Sequence, residues 1–167
     1  TRIPSLSAGG TQTVELFATP SSAGSAPVAL ADLLATSFDA VVSLNVGGTV
    51  YQASARQLLQ ANPSATTWLS GPLATEWLVS SFVKTSAGAA HPHLAVNFAI
   101  RAYNGMDSVR VDVTVENDTS FVTAPQNFTY DATITVGGTS VYTKSALTHY
   151  AQARWRKVFW WSRDPGA

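Results

Sequence analysis

The chain has 167 residues, a formal net charge of zero and a charged fraction of only 12%, against about 25% in ordinary globular proteins. Without a basic excess, the counterion-release term that drives nucleic-acid binding is small, so no nucleic-acid partner is expected. The chain contains no cysteine, which excludes disulfides, thiolate metal ligands and cysteine nucleophiles.

The first elements predicted along the chain are a strand, a loop and a short helix. Residues 11–17 are expected to form the strand, and residues 18–27, which are rich in Pro, Ser and Gly, the loop. Residues 28–35 have the composition for two turns of helix, although a helix of that length depends on tertiary packing.

A tight hairpin is predicted next. Apolar residues alternate along residues 38–46 and 49–53, and the pair Gly47-Gly48 separates the two runs. Two-residue hairpin turns need the positive φ that glycine supplies, so the pattern predicts two antiparallel strands. Residues 55–61 then favour a second short helix, which ends before Pro63.

The rest of the chain is typical of strands joined by turns. Apolar and polar residues alternate along residues 94–103 and 109–115, which predicts a long antiparallel hairpin with one buried face. Residues 86–93 are expected to form a turn. The other strands are expected over residues 67–85, where Pro72 breaks or bulges the run, and over residues 128–136, 140–144 and 151–161.

One short motif occurs twice. The letters VGGT at residues 46–49 recur at residues 136–139, an offset of 90 residues, and a Ser-Ala pair follows each copy. Two duplicated hairpins in a pseudo-symmetric sheet would produce this pattern. It also arises by chance, because tight turns favour the same residues.

The C-terminal segment 149–161 concentrates aromatic and basic residues. If it is a strand, alternation places Arg154, Arg156 and Trp160 on one face. Aromatic rings stack on the C–H faces of sugars, and Arg donates to hydroxyl or carboxylate groups. These three residues and Tyr150 are therefore the candidate ligand-binding residues.

The opposite face of the same segment carries Trp155, Phe159 and Trp161. The structural alternative is that these rings close the core while the cations lie on the surface and cover apolar area with their stems. Under this interpretation we expect Trp155 to be buried, and Trp160 to be the more exposed ring and the better ligand contact.

No constellation predicts catalysis. The pair His91 and His93 lacks the further ligands that zinc needs, so no metal or other cofactor is expected. Asp112 and Glu116 lie four residues apart, roughly 13 Å along a strand, which exceeds the spacing of glycosidase carboxylates. No nucleophile elbow, P-loop or dinucleotide fingerprint is present. We therefore expect no catalytic residues, and a complete enzyme is the least supported hypothesis.

Residues 71–118 run from GPLATEWLVSSFVK to VRVDVTVEND and combine an Arg-containing strand with a following alternating strand. This stretch resembles the N-terminal β-sandwich, or RIFT-barrel-like, domain of large bacterial proteins related to the exo-acting rhamnogalacturonan lyases. The catalytic helical domain of that family has no counterpart here. The resemblance therefore implies an accessory module rather than a lyase.

These observations predict an all-β fold, an antiparallel β-sandwich or barrel with one or two short helices, formed by residues 1–167 as a single domain of a larger polypeptide or assembly. No apolar run approaches the roughly 20 residues that span a bilayer, so no membrane insertion is expected. The favoured function is a non-catalytic structural or assembly module of an extracellular or virion assembly, with protein partners or self-association. The alternative is a carbohydrate-binding accessory domain of a polysaccharide-degrading protein.

Overall fold

The computed structural model describes residues 7–15, 26–62, 65–119 and 124–164. Within these ranges, nine antiparallel strands form a sheet that curves into a nearly closed barrel with two short helices, which confirms the predicted fold class and selects the barrel form. The elements in chain order are α1 (Leu30–Ala35), β1 (Ala40–Val46), β2 (Thr49–Ser54), α2 (Ala55–Ala61), β3 (Thr66–Leu69), β4 (Ala74–Lys84), β5 (Ala90–Tyr103), β6 (Val109–Asn117), β7 (Phe128–Val136), β8 (Thr139–His149) and β9 (Ala153–Trp161).

The strands follow one another around the barrel in the order β8-β7-β1-β2-β4-β5-β6-β9, and β3 pairs with β4. The strands β8 and β9 end this order and face each other across a seam. Side chains cross the seam: the Tyr142 and Trp155 rings lie 5.7 Å apart, and the Lys157 ammonium lies over the Tyr142 ring. Neither helix in the described part of the chain is long and apolar enough to cross a bilayer.

The core fills the barrel interior because alternate strand residues point inward. Along β6 the valines at positions 109, 111, 113 and 115 are all fully buried, and the polar residues between them are half-buried on the outer face. Phe98 and Ile100 of β5 and Trp77 of β4 join them. Full burial of one such side chain stabilises the fold by about 1.5–3 kcal/mol, so this alternation fixes which face of each strand is outside.

The repeated VGGT motif corresponds to two adjacent hairpins. The β1–β2 and β7–β8 turns have nearly the same backbone, with φ of 57° and 85° at Gly47 and Gly48 and of 57° and 82° at Gly137 and Gly138. Strands β1 and β7 pair with each other so that Ala40 faces Val136 and Val46 faces Tyr130. With the offset of 90 residues, Ala40 corresponds to Tyr130 and Val46 corresponds to Val136. The two pairs are therefore equivalent, and a local two-fold axis relates the hairpins.

Three local predictions were wrong. Residues 11–15 are exposed and form no strand, because no strand in the described part of the chain pairs with them; residues 16 and 17 lie outside the described residues. His91 and His93 belong to β5 rather than to a turn, because β5 pairs with β4 again at Ala90, beyond a register shift between Phe82 and Lys84. Residues 151 and 152 lie in the turn between β8 and β9, where Gln152 has a φ of 60°, so the last strand begins at Ala153 and not at residue 151.

Candidate functional site

A groove runs across the outer face of the barrel over β3, β4, β5, β6 and β9. Its volume is about 410 Å³, within the usual range of about 300–1,000 Å³ for small-molecule sites. The side chains and backbone that line it are those of Thr66, Leu78, Val79, Ser80, Asn97, Phe98, Ala99, Asp112, Thr114 and Arg156.

The strand register explains how these side chains come together. Leu78, Ala99 and Asp112 are aligned neighbours on β4, β5 and β6. The next outward row along the strands contains Ser80, Asn97, Thr114 and Arg156. Ala99 is short and lies between two larger side chains, so the outer surface is depressed at its position. The groove therefore has a partly apolar floor beside a row of hydroxyl, amide and guanidinium groups.

Asp112 is the electrostatic centre of the groove. Its Oδ1 accepts a hydrogen bond from Arg156 and its Oδ2 one from Arg110, both at 2.7 Å. The Asp112 side chain is 13% exposed and that of Arg156 is 56% exposed. Arg156 therefore keeps guanidinium N–H groups that face solvent, and both charged groups are held in place by the network.

Aromatic rings flank the groove on two sides. Trp160 stacks on Tyr103 with ring centroids 5.9 Å apart and an interplanar angle of 27°, in the same outward row as Arg110. At the other end, a bulge in β3 shifts the register between Thr67 and Leu69. Trp68 lies in that bulge and is 72% exposed, which is unusual for so large an apolar ring.

The four predicted ligand-binding residues do not all line the groove. Arg156 lines the groove, and Arg154 lies on the same outer face, exposed and opposite Glu116. Trp160 also lies on that face, stacked on Tyr103. Tyr150 is exposed in the β8–β9 turn and does not share the outer face of β9 with the other three.

The opposite face of β9 packs on the core as predicted. Trp155, Phe159 and Trp161 contact the buried cluster. The expected difference in exposure is not seen, because Trp155 and Trp160 are both half-buried. Tyr103 covers Trp160 from outside the barrel in the same way that Tyr142 covers Trp155 at the seam.

Sequence reasoning missed the polar residues of β4 and β5 in the groove, among them Ser80 and Asn97. Each is an ordinary outward residue of an alternating strand, and only the register of five strands brings it to the groove. Trp68 carried a usable signal, since it is a large ring in a short segment of threonines before Gly71 and Pro72.

The ring of His91 is held by hydrogen bonds to the backbone. His91 Nδ1 accepts hydrogen bonds from the backbone N–H groups of His93 and Leu94, so that nitrogen is engaged. Burial, and secondarily His93, lowers the pKa of His91. Over the residues that the structure describes, no three His, Cys, Asp or Glu side chains are grouped so that they could hold a metal ion.

Comparison with known proteins gave no relative: no family model matches the chain, and no match was found among curated proteins or among solved structures.

Proposed function

We propose that the chain is a non-catalytic recognition module that binds carbohydrate in the outer groove, as an accessory domain of a polysaccharide-degrading protein. The observation that carries the proposal is the paired Asp112 and Arg156 beside a floor formed by Ala99 and Leu78. A sugar ring presents hydroxyl groups at its rim and C–H groups on its faces. The groove offers charged hydrogen-bonding partners for the rim and apolar area for a face.

The resemblance of residues 71–118 supports the same proposal. That stretch contains β4, β5 and β6, which supply most of the lining of the groove. The proteins it resembles act on polysaccharides through a separate catalytic domain, so an accessory role for this barrel is consistent with the resemblance.

The test is to block the groove without touching its polar groups. Ala99→Phe would place a ring on the floor, whereas Ala95→Phe places the same ring on the same outer face of β5, opposite Phe82 and Glu116. Both alanines are half-buried, so the pair is matched. We expect a panel of soluble polysaccharides, read by affinity electrophoresis, to retard the parent chain and Ala95→Phe but not Ala99→Phe. Retardation of all three proteins, or of none, would contradict the proposal.

A second candidate function, a structural module of an extracellular or virion assembly, is favoured by a different observation. Trp68, Leu69 and Leu73 are 72%, 41% and 56% exposed, and they follow one another closely around the β3–β4 connection. Large exposed apolar side chains that cluster are typical of protein interfaces, where Trp is enriched among the residues that contribute most. Sedimentation of the chain over a range of concentrations would test it: self-association that Trp68→Ser abolishes supports assembly, and a monomer at all concentrations contradicts self-assembly.

A further inference from the structure

We infer that the exposed ring of Trp68 is a second contact for the ligand of the outer groove, so that the site binds a chain of about three or more linked sugar units rather than a single sugar or a disaccharide. This inference rests on the proposed carbohydrate-binding function and specifies the size of its ligand. It follows from the position of Trp68 in the β3 bulge and from the number of strands between that bulge and Asp112.

Trp68 is the extra residue of the β3 bulge. In β4, Trp77 and Glu76 are consecutive residues. Their partners Thr67 and Leu69 are separated by Trp68, which therefore has no aligned residue in β4. A bulge bends the strand and re-aims a side chain, and bulges are frequent beside active sites. The Trp68 ring is 72% exposed, so burial in the barrel does not hold it in place, and its apolar surface is available to a ligand.

Trp68 lies near one end of a row of the sheet, and Asp112 lies at the other. The row crosses the strands from β3 to β6 through the aligned residues Thr66, Leu78, Ala99 and Asp112. Three strand spacings separate β3 from β6, about 14 Å along the sheet. Each ring of a linear polysaccharide advances the chain by about one strand spacing, roughly 5 Å. A ligand that contacts both Trp68 and Asp112 therefore needs about three linked rings.

The surface between the two ends is suited to a chain of rings. The middle of the row is apolar, and Ser80 and Asn97 lie beside it in the next row. A chain that crosses the strands places C–H faces over the first row and hydroxyl groups beside the second, and stacks its last ring on Trp68. At the other end, the solvent-facing N–H groups of Arg156 donate to a hydroxyl oxygen or to a carboxylate, so the length requirement holds for neutral and acidic sugars alike.

The experiment measures affinity against ligand length. Disaccharides and tetrasaccharides of β-glucan, xylan, galactan and polygalacturonate are titrated by calorimetry into the whole chain, and the polysaccharides themselves are included in the electrophoresis panel. For a sugar that binds, we expect the tetramer to bind about 10-fold or more tightly than the disaccharide, which is more than the extra binding registers of a longer chain supply. A gain no larger than those registers supply, or retardation by a polysaccharide whose tetramer does not bind, would overturn the inference and leave the carbohydrate-binding proposal standing. Failure of every oligomer and polysaccharide to bind would overturn both.

Variants connect the gain in affinity to Trp68. Trp68→Ala should bind the tetramer no more tightly than the parent chain binds the disaccharide. Tyr150→Ala is the control, because it removes a similarly exposed ring, 63% against 72%, between β8 and β9, and it should keep the full gain. Both rings are exposed, so both variants should fold, and thermal melts check this. A loss of the gain in both variants, or in neither, would overturn the inference. Sedimentation without sugar separates a ligand contact from a contact between copies: if Trp68→Ala changes the oligomeric state and leaves tetramer affinity unchanged, Trp68 serves assembly and the inference is overturned.

Discussion

Tyr130 donates a hydrogen bond from its hydroxyl group to Nδ1 of His149, 2.7 Å away. The direction follows from the neighbours. The indole N–H of Trp155 can only donate, and it donates to the Tyr130 oxygen at 2.9 Å. The carbonyl of Ala153 can only accept, and it lies 2.9 Å from Nε2 of His149. Burial lowers the pKa of His149, so its ring is neutral at pH 7 and the single proton lies on Nε2. The chain of bonds joins β7, β8 and β9 across the seam of the barrel.

This arrangement predicts that acid weakens the fold. Burial is the main cause that lowers the pKa of His149 below its ordinary 6.5, against smaller opposing effects of Ala153 and Asp118. The unfolded chain then binds a proton that the native protein does not, so stability is full above about pH 6.5 and falls as pH drops below it, by at most about 1.4 kcal/mol per pH unit for each histidine. Urea unfolding at pH 7.5 and 5.5 measures the loss.

His91 also has a lowered pKa, so the two histidines must be separated. His149→Gln keeps an amide that can accept from Tyr130 and donate to Ala153, and it removes the titrating group. We expect this variant to lose less stability than the parent between pH 7.5 and 5.5. An unchanged loss would assign the effect to His91 or to the carboxylates.

The tryptophans of β9 should differ in what they stabilise. Trp155 packs on the core, contacts Tyr142 and bonds Tyr130, whereas Trp160 stacks on Tyr103 outside the barrel. We expect Trp155→Ala to reduce the free energy of unfolding by about 3 kcal/mol, the lower end for a large aromatic residue because the ring is half-buried. Trp160→Ala should cost about 1 kcal/mol. Urea melts compare the two, and equal losses would contradict the assignment of faces.

Which residues of β6 and β9 face the core could be predicted from the sequence, because side chains alternate between the two faces of a strand. In β6 every second residue is a valine, so the valine face must be the buried one. Helix α2 was predicted at its observed bounds, Ala55–Ala61, because Pro63 limits its end. The closing of the barrel could not be predicted. It depends on Tyr130, His149 and Trp155, which are distant in sequence and meet only once the strand order is set. The groove was missed for the same reason, and only its Arg156 was proposed, from local composition.

Arg56 should be important for stability although no catalytic or ligand role is proposed for it. Its guanidinium donates to the backbone carbonyls of Leu34, Thr36 and Phe38, which include unpaired groups at the end of α1. We expect Arg56→Met to destabilise the fold by about 2–3 kcal/mol, because partly buried carbonyls lose a charged donor. Arg154→Met, which removes an exposed Arg, is the control and should change the unfolding midpoint little. If both substitutions have the same small effect, Arg56 does not anchor this helix.

The two related hairpins provide a matched pair of glycines for the last prediction. Gly47 and Gly137 have the same φ of 57°, so alanine is equally strained by the backbone at either position, but their surroundings differ. A Cβ at Gly47 meets nothing within 4 Å, whereas a Cβ at Gly137 would lie 2.5 Å from the Trp161 ring. That ring packs edge-on against Phe38, so it can move away only by disturbing the core. We expect Gly137→Ala to cost about 1–3 kcal/mol more than Gly47→Ala, the typical penalty for overpacking. Chemical unfolding of both variants measures the difference, and Trp161→Leu should reduce it because the smaller side chain leaves room. Equal costs would mean that the ring yields freely and that Trp161 does not hold the β7–β8 turn against the barrel.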